Sequence, residues 1–229
     1  MTGIVIVDKP AGWTSQDVTA RLRRVFGTRR IGHGGTLDPM ATGVLPVFVG
    51  RATRGVEFFE HADKTYEAVL RLGTVTDTQD STGTVLEKRP VTVTEAEFRD
   101  ILPKFTGEIA QIPPMYSAIK VGGKKLYELA RAGKEVERKP REITIFSLEL
   151  LEFSGETAKI RVHCSKGTYI RTLCQDIGEN LGCGGCMESL LRTRVERFSL
   201  EDAVKLGEVE AIKAEKGLDG LMEKILPID

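Results

Sequence analysis

The chain has 229 residues, of which 41% are hydrophobic and 29% charged, as is ordinary for a soluble globular protein of one large domain or two small ones. Lysine plus arginine equals aspartate plus glutamate, at 33 each, so net charge alone argues weakly against a nucleic-acid-binding protein. We find no signal peptide and no apolar run near 18 residues, which predicts a cytoplasmic protein without membrane contact.

The distribution of charge favours a different conclusion from the total. Residues 21–30 carry five arginines and no acid, and residues 120–141 carry eight basic residues against three acids. Residues 199–229 instead carry eight acids and four lysines. Basic patches on a balanced chain are what a surface that follows phosphates requires, although two solvated helix faces would explain them equally well.

In chain order, a short apolar strand is predicted over residues 3–7. A helix follows, capped by Thr14 or Ser15 and ended by Gly27, because apolar residues recur at helical spacing on one face. The arginines of residues 21–30 lie mainly off that face and lead into a glycine-rich loop.

That loop, residues 33–45, reads HGGTLDPMATGVL and contains one carboxylate, Asp38. Pro39 disfavours helical geometry at Asp38, and the surrounding glycines allow tight turns, so we expect Asp38 to be presented on a loop. A strand is predicted directly after the loop, over residues 45–50. An aspartate that only caps a turn is the alternative interpretation.

The middle of the chain mixes strands and helices. Helices are predicted over residues 51–60, from Thr94 with a capping box at Glu97, and over 126–131; strands are predicted over 64–73, 84–88 and 116–121. Residues 111–127 carry two prolines, two glycines and a basic cluster, which predicts an irregular element that joins the strand to the helix; a plain surface hairpin remains the alternative.

The last third begins with two alternating segments, residues 143–153 and 157–163, which predict an antiparallel pair. A helix over residues 170–181 places Tyr169 and Arg171 in its first turn, where anions are favoured. A strand over 190–198 and an acidic helical remainder complete the chain. Without a regular βαβ alternation, these elements predict an α+β fold with a mixed, largely antiparallel sheet flanked by helices.

Cysteine usage gives little evidence for a metal site. Cys183 and Cys186 have CxxC spacing, but no second ligand pair accompanies them, and the chain has three histidines in total. Free thiols in a reducing compartment are therefore expected, with no metal.

Four strings resemble the TruB family of tRNA pseudouridine synthases: DKPxGxTS at residues 8–15, the loop at 33–45, PPxYSAxK at 113–120 and KGTYIRTL at 166–173. The loop agrees at every fixed position of the family pattern, and the resemblance extends from about Asp8 to Pro227. It implies the pseudouridine synthase fold with a central catalytic cleft, with residues 1–229 as one catalytic domain. It also implies that the basic segment at about 111–141 is an insertion that closes over RNA.

The resemblance implies an isomerase that converts uridine to pseudouridine in the T-loop of tRNA, with no metal and no cofactor. Asp38, Tyr66 and Arg171 would be catalytic: Asp38 would act at the sugar, Tyr66 would stack on the flipped base, and Arg171 would favour the ionised carboxylate. Asp38 as nucleophile, base or stabiliser of a cationic sugar is left open. The family pattern further suggests the following substrate- or RNA-binding residues: His33, Tyr169, Leu190, Asp80, Lys9, Arg30 and Lys120.

Without the resemblance, the periodicity of the sequence predicts that Leu190 is a core residue, and His33 would be interpreted as a histidine in a turn. Asp80 would orient Arg171. The tRNA T-arm is the expected partner of a monomer that needs no guide RNA, and the C-terminal RNA-binding PUA domain of the family is expected to be absent. The alternatives are an RNA chaperone that opens the tRNA elbow, and a pseudouridine synthase for another RNA.

Overall fold

The computed structural model describes residues 1–227, apart from the side chain of Glu60. The strands are β1 (Gly3–Lys9), β2 (Ile31–His33), β3 (Thr42–Val49), β4 (Lys64–Leu72), β5 (Thr74–Thr76), β6 (Val85–Lys88), β7 (Gly107–Gln111), β8 (Lys120–Val121), β9 (Lys124–Lys125), β10 (Arg141–Phe153), β11 (Thr157–Cys164), β12 (Gly185–Val195), β13 (Phe198–Ser199) and β14 (Val204–Lys205). The α-helices are α1 (Ser15–Phe26), α2 (Val56–Glu60), α3 (Glu95–Ile101), α4 (Leu126–Arg131), α5 (Ile170–Asn180) and α6 (Leu206–Met222). Short 3-10 helices cover Gly50–Gly55, Leu102–Phe105 and Leu200–Asp202.

The chain divides into two compact units, the first formed by residues 1–66 and 190–229 and the second by residues 67–189. Strands β4 and β12 pass through the boundaries between them.

In the first unit the strand order is β14-β1-β3-β12, with β2 beside β3 and β13 beside β12. Strand β1 is antiparallel to β3, whereas β12 is parallel to β3 through the pairs Leu191–Thr42 and Arg192–Gly43. Alternate residues of β1 and β3 enter two separate hydrophobic clusters, one of them against α1 and α6. Both faces of these strands are therefore buried, which explains their nearly continuous apolar sequence.

Helix α1 begins and ends as its sequence predicts. Thr14 accepts a hydrogen bond from the Asp17 backbone N–H, and the Asp17 carboxylate accepts one from the Thr14 backbone N–H, which completes a capping box. Gly27 ends the helix in the left-handed conformation, at φ +64°. The helix thus starts at a fixed point directly after the DKPxGxTS string.

In the second unit the order is β12-β4-β11-β10-β7, with two separate hairpins, β5–β6 and β8–β9. Strands β10 and β11 form the predicted antiparallel pair. In β4, Tyr66, Ala68, Leu70 and Leu72 are buried in strict alternation, as predicted.

The α+β fold class with a mixed, largely antiparallel sheet is confirmed, but several local predictions are wrong. Residues 116–118 form bends and Ile119 is irregular, so this part is not a strand. Only Lys120–Val121 pairs, with Lys124–Lys125, across a turn at Gly122 and Gly123. Both glycines have positive φ, and this tight local hairpin leaves no extended partner for a longer strand.

Two strands begin earlier than predicted, and four were missed, namely β2, β5, β7 and β14. β3 starts at Thr42 because Gly43 already pairs with Lys9 and Arg192. β12 starts at Gly185, five residues before the predicted Leu190. β7, whose exposed and buried residues alternate weakly, was not predicted. The predicted helical remainder is confirmed for α6, whereas residues 228–229 lie outside the described residues.

Candidate active site

The loop that carries Asp38 is irregular over residues 34–41, and the Asp38 side chain is half-buried. The Asp38 carbonyl accepts a hydrogen bond from the Ala41 N–H at 3.0 Å, which closes a turn around Pro39. The backbone on each side of Asp38 is fixed by residues of the DKPxGxTS string.

On the N-terminal side, Ser15 binds the backbone of Leu37 twice. Its buried hydroxyl accepts from the Leu37 N–H at 2.9 Å and donates to the Leu37 carbonyl at 3.3 Å. Leu37 itself is buried. The first residue of α1 therefore holds the residue directly before Asp38.

On the C-terminal side, the Lys9 ammonium donates to three carbonyl oxygens: Pro10 at 2.9 Å, Trp13 at 2.5 Å and Pro39 at 3.2 Å. The Gly12 N–H donates to the same Pro39 carbonyl at 2.8 Å. Burial lowers the pKa of Lys9 to about 8, and the negative charge of Asp38 opposes that shift. Lys9 is thus a fully buried cation close to the Asp38 carboxylate.

The start of the loop is held by Arg192 of β12. Its guanidinium donates to the carbonyls of Gly35 at 3.1 Å and Thr36 at 3.5 Å, and its Nε donates to Val44 at 2.8 Å. It also forms a hydrogen bond with the Tyr66 phenol. Arg192 was not among the predicted site residues.

The loop motif requires glycine at position 43 for a steric reason. A Cβ at this position would lie 2.2 Å from the Arg192 carbonyl oxygen, and the residue has φ +101°. Only glycine allows the parallel strand β12 to approach this closely. The loop glycine is therefore needed to bring Arg192 beside the loop.

His33 lies at the end of β2 and is half-buried. The Gln16 side-chain amide donates to its Nε2 at 3.3 Å, while the buried Nδ1 has no hydrogen-bond partner within residues 1–227. Burial lowers the pKa of His33, and the charges of Arg192 and Arg23 add to the effect. Both effects disfavour the charged form of the imidazole.

The other predicted residues of the first unit differ in exposure. Tyr66 and Leu190 are both buried, each 8% exposed, Tyr66 on β4 and Leu190 on β12. Arg30 is exposed, with its carbonyl accepting from the Gly50 N–H. The first unit therefore brings Lys9 next to the Asp38 loop and holds Tyr66 through Arg192.

In the second unit, Arg171 lies in the first turn of α5 and is 6% exposed. Its guanidinium donates to the carbonyls of Thr78 at 3.2 Å and Tyr116 at 2.9 Å. Its Nε lies 3.9 Å from Oδ2 of Asp80, so the structure brings Asp80 and Arg171 together at ion-pair distance.

Asp80 is itself fixed in a compact turn. Its Oδ1 accepts from the Thr78 hydroxyl at 2.8 Å, the Thr82 hydroxyl at 2.6 Å and the Thr82 N–H at 2.9 Å. Asp80 also bridges to Met187 of β12. The carboxylate that faces Arg171 is therefore held in a single orientation.

Tyr169 was predicted to lie in the first turn of α5. In the structure it is instead the N-cap residue, directly before that turn. Gln111, at the end of β7, binds its backbone twice: Gln111 Oε1 accepts from the Tyr169 N–H at 2.8 Å, and Gln111 Nε2 donates to its carbonyl at 3.0 Å. Lys120, by contrast, is an exposed residue of the β8–β9 hairpin.

Asp38, Tyr66, His33, Lys9, Arg30 and Leu190 thus lie in the first unit, and Arg171, Asp80, Tyr169 and Lys120 in the second. The roles taken from the resemblance, including the pairing of Arg171 with Asp38, stay predictions.

All four cysteines are buried thiols, and burial raises the pKa of Cys183 and Cys186. Among the described residues, no group of three or more His, Cys, Asp or Glu side chains could hold a metal ion, and no helix is long and apolar enough to cross a membrane.

Sequence reasoning missed Ser15, Arg192 and Gln111 as residues that support the site. Ser15 was considered only as a helix cap. Arg192 carried a usable signal, since it lies two residues after Leu190 and so on the same face of a strand. A charged residue on a buried strand face is unusual and indicates a specific partner.

Comparison with known families covers residues 23–229. Residues 23–170 match the family described as TruB family pseudouridylate synthase (N terminal domain). Residues 171–229 match the family described as tRNA pseudouridylate synthase B C-terminal domain.

Individual relatives agree with this match. The tRNA pseudouridine synthase B of Pseudomonas fluorescens (strain Pf0-1) is 50% identical over 229 residues, which are 100% of this chain and 75% of the relative. The tRNA pseudouridine synthase B of Azoarcus sp. (strain BH72) is 50% identical over 223 residues, or 97% of this chain and 74% of the relative.

Solved structures are also similar. A Cbf5-Nop10-Gar1 complex contains a chain with 33% identity and a TM-score of 0.78, and the similarity covers 98% of this chain and 60% of that one. The archaeal box H/ACA sRNP Nop10-Cbf5 complex gives 31% identity and a TM-score of 0.74, with 98% and 59% covered. This chain therefore spans about three fifths of those solved chains.

Proposed function

The chain belongs to the TruB family of pseudouridylate synthases, and we propose that it is an isomerase that converts uridine to pseudouridine in the T-loop of tRNA. The relatives named tRNA pseudouridine synthase B support tRNA as the substrate. The observation that carries the proposal is the Asp38 loop, whose backbone is fixed on both sides of a single carboxylate by Ser15 and Lys9.

The reaction breaks the bond between N1 of uracil and C1′ of ribose and forms a bond between C5 and C1′. C5 loses a proton and N1 gains one, so no atoms are added or lost. A carboxylate at the sugar can serve as nucleophile or base, or stabilise a cationic ribose. Asp38 is the residue we assign to this task, and the fixed loop holds it in place without reorganisation during the reaction.

Access to the sugar requires that the uridine leave the stacked loop of the RNA. Tyr66 is proposed to stack on the flipped base, with Tyr169 and Leu190 lining the pocket and His33 in contact with the RNA loop. Lys9, Arg30 and Lys120 are the proposed phosphate-facing cations; among them Arg30 and Lys120 are exposed, whereas Lys9 is fully buried and supports the loop. Arg171, oriented by Asp80, is proposed to favour the ionised carboxylate.

The experiment is release of tritium from a T-arm hairpin that carries uridine labelled at C5. We expect release by the wild-type chain and none by Asp38→Asn, which keeps the shape of the side chain and removes its charge. Absence of release by folded wild-type protein would contradict the proposal.

An RNA chaperone, motivated by the basic patches, would retain its effect on tRNA folding in Asp38→Asn. A synthase for another RNA, or one that needs a guide RNA, is distinguished by mapping pseudouridine in total RNA from a deletion strain. We expect the loss of one modified position in the T-loop of tRNAs and no dependence on a second RNA.

A further inference from the structure

Arg192 is one of the largest fully buried side chains of the chain, at 1% exposure. Its guanidinium contacts three segments: the loop at Gly35 and Thr36, strand β3 at Val44, and strand β4 at Tyr66. It therefore links the loop of Asp38 directly to the phenol of Tyr66.

The chemistry of the guanidinium determines the direction of these bonds. Arginine has five N–H donors in a planar fork and no acceptor. The Tyr66 phenol oxygen must therefore accept the hydrogen bond from Arg192, which directs one of its lone pairs towards the guanidinium. The same guanidinium therefore contacts both the phenol oxygen and the carbonyls of Gly35 and Thr36.

Burial of this cation is costly, because the acceptors named above are neutral oxygens. Burial lowers the pKa of Arg192, and Tyr66 opposes the shift. Replacement of buried charged groups by apolar side chains of similar volume is often neutral or stabilising. Fold stability alone thus gives little reason for an arginine at this position.

We propose that Arg192 is a positioning residue for the isomerisation, which holds the Tyr66 phenol and the start of the Asp38 loop in one fixed arrangement. The inference rests on the function proposed above. Arg192 acts through these two residues, and a displacement of about 1 Å of reacting groups is enough to lower a rate about 100-fold.

Arg192→Lys tests this in the full chain, because lysine keeps the charge but cannot reproduce the planar fork. Arg194→Lys is the matched control, since Arg194 is exposed two residues further along the same strand. We expect Arg192→Lys to lower kcat at least about 10-fold with KM within about twofold of wild type. Arg194→Lys is expected to leave both constants unchanged.

A double-mutant cycle with Tyr66→Phe separates positioning from general support of the fold. Phenylalanine keeps the ring and removes the phenol oxygen, so the link between Tyr66 and the loop is already broken. We expect Arg192→Lys to reduce kcat less than about threefold in the Y66F background, because residues that act through one contact are not additive.

Each other result overturns the inference. If wild type releases tritium and Arg192→Lys behaves like Arg194→Lys, Arg192 has no positioning role. If the effects of Arg192→Lys and Tyr66→Phe multiply, Arg192 acts independently of the phenol. If Arg192→Lys lacks a cooperative unfolding transition at the assay temperature, the residue serves the fold. An inactive wild type would instead contradict the proposed function.

Discussion

Replacement of Ser15 by alanine tests whether the Asp38 loop is held by α1. The change removes a hydroxyl that accepts from the Leu37 N–H at 2.9 Å and donates to its carbonyl at 3.3 Å. Both groups are buried, and an orphaned buried donor costs about 1–3 kcal/mol. We therefore expect the free energy of unfolding to fall by about 1–3 kcal/mol and the backbone next to Asp38 to loosen.

Thr14→Ala is the matched control for this change. Thr14 caps the same helix through Asp17, and loss of such a cap costs about 1 kcal/mol. Similar losses of stability are therefore expected from the two variants, but only Ser15→Ala removes a bond to the loop. Urea denaturation measures the stability, and tritium release measures kcat.

We predict a kcat at least about 10-fold lower for Ser15→Ala than for Thr14→Ala at a temperature where both are folded. Equal kcat values for the two variants, at equal stability, would refute the idea that the Ser15 clamp positions Asp38.

Three further predictions concern charges in the two units. The pKa of Lys9 is about 8 in the folded state and 10.5 in the unfolded state, so the folded state binds fewer protons between these pH values. The free energy of unfolding of wild type, relative to that of Lys9→Met, should therefore rise by about 2–3 kcal/mol from pH 7 to pH 10. A difference between the two proteins that does not change with pH in urea titrations would contradict this. Because the pKa of His33 is lowered from 6.5 by burial, wild type should lose stability relative to His33→Gln as the pH falls below about 6.5, which thermal unfolding at several pH values measures. Asp80→Asn keeps an oxygen for the contacts with Thr78 and Thr82 but replaces the carboxylate oxygen 3.9 Å from the buried Arg171 by an amide donor, so kcat should fall and the free energy of unfolding should drop by about 3–5 kcal/mol. An unchanged kcat at a temperature where the variant is folded would show that this charge is dispensable.

Local signals in the sequence were sufficient for most elements. The capping box of Thr14 and Asp17 and the left-handed Gly27 define α1, and the alternation from Tyr66 to Leu72 defines β4. Each of these patterns lies within a dozen residues, so neighbouring side chains determine the backbone geometry. The loop around Asp38 was likewise predictable, because Pro39 and the glycines act locally.

The contacts that support the site could not be predicted because they join distant parts of the chain. Arg192 and Gly35 are 157 positions apart, and Gln111 and Tyr169 are 58 apart. Ser15 and Leu37 are closer, at 22 positions, but their contact depends on how α1 packs beside the loop. The predicted strand over Tyr116–Val121 failed for a different reason, because two adjacent glycines with positive φ, Gly122 and Gly123, turn the chain into the short hairpin at residues 120–125 that was the alternative interpretation.

The central claim is that the Asp38 carboxylate, fixed in its loop, is the reactive group. The most direct measurement is the single-turnover rate of tritium release from C5-labelled T-arm RNA, with enzyme in excess, for wild type and Asp38→Asn. We predict release by wild type and a rate at least about 10,000-fold lower for Asp38→Asn, with RNA affinity and unfolding midpoint close to wild type, as expected for loss of the reacting carboxylate. Release by Asp38→Asn at a rate within about 10-fold of wild type would contradict the claim.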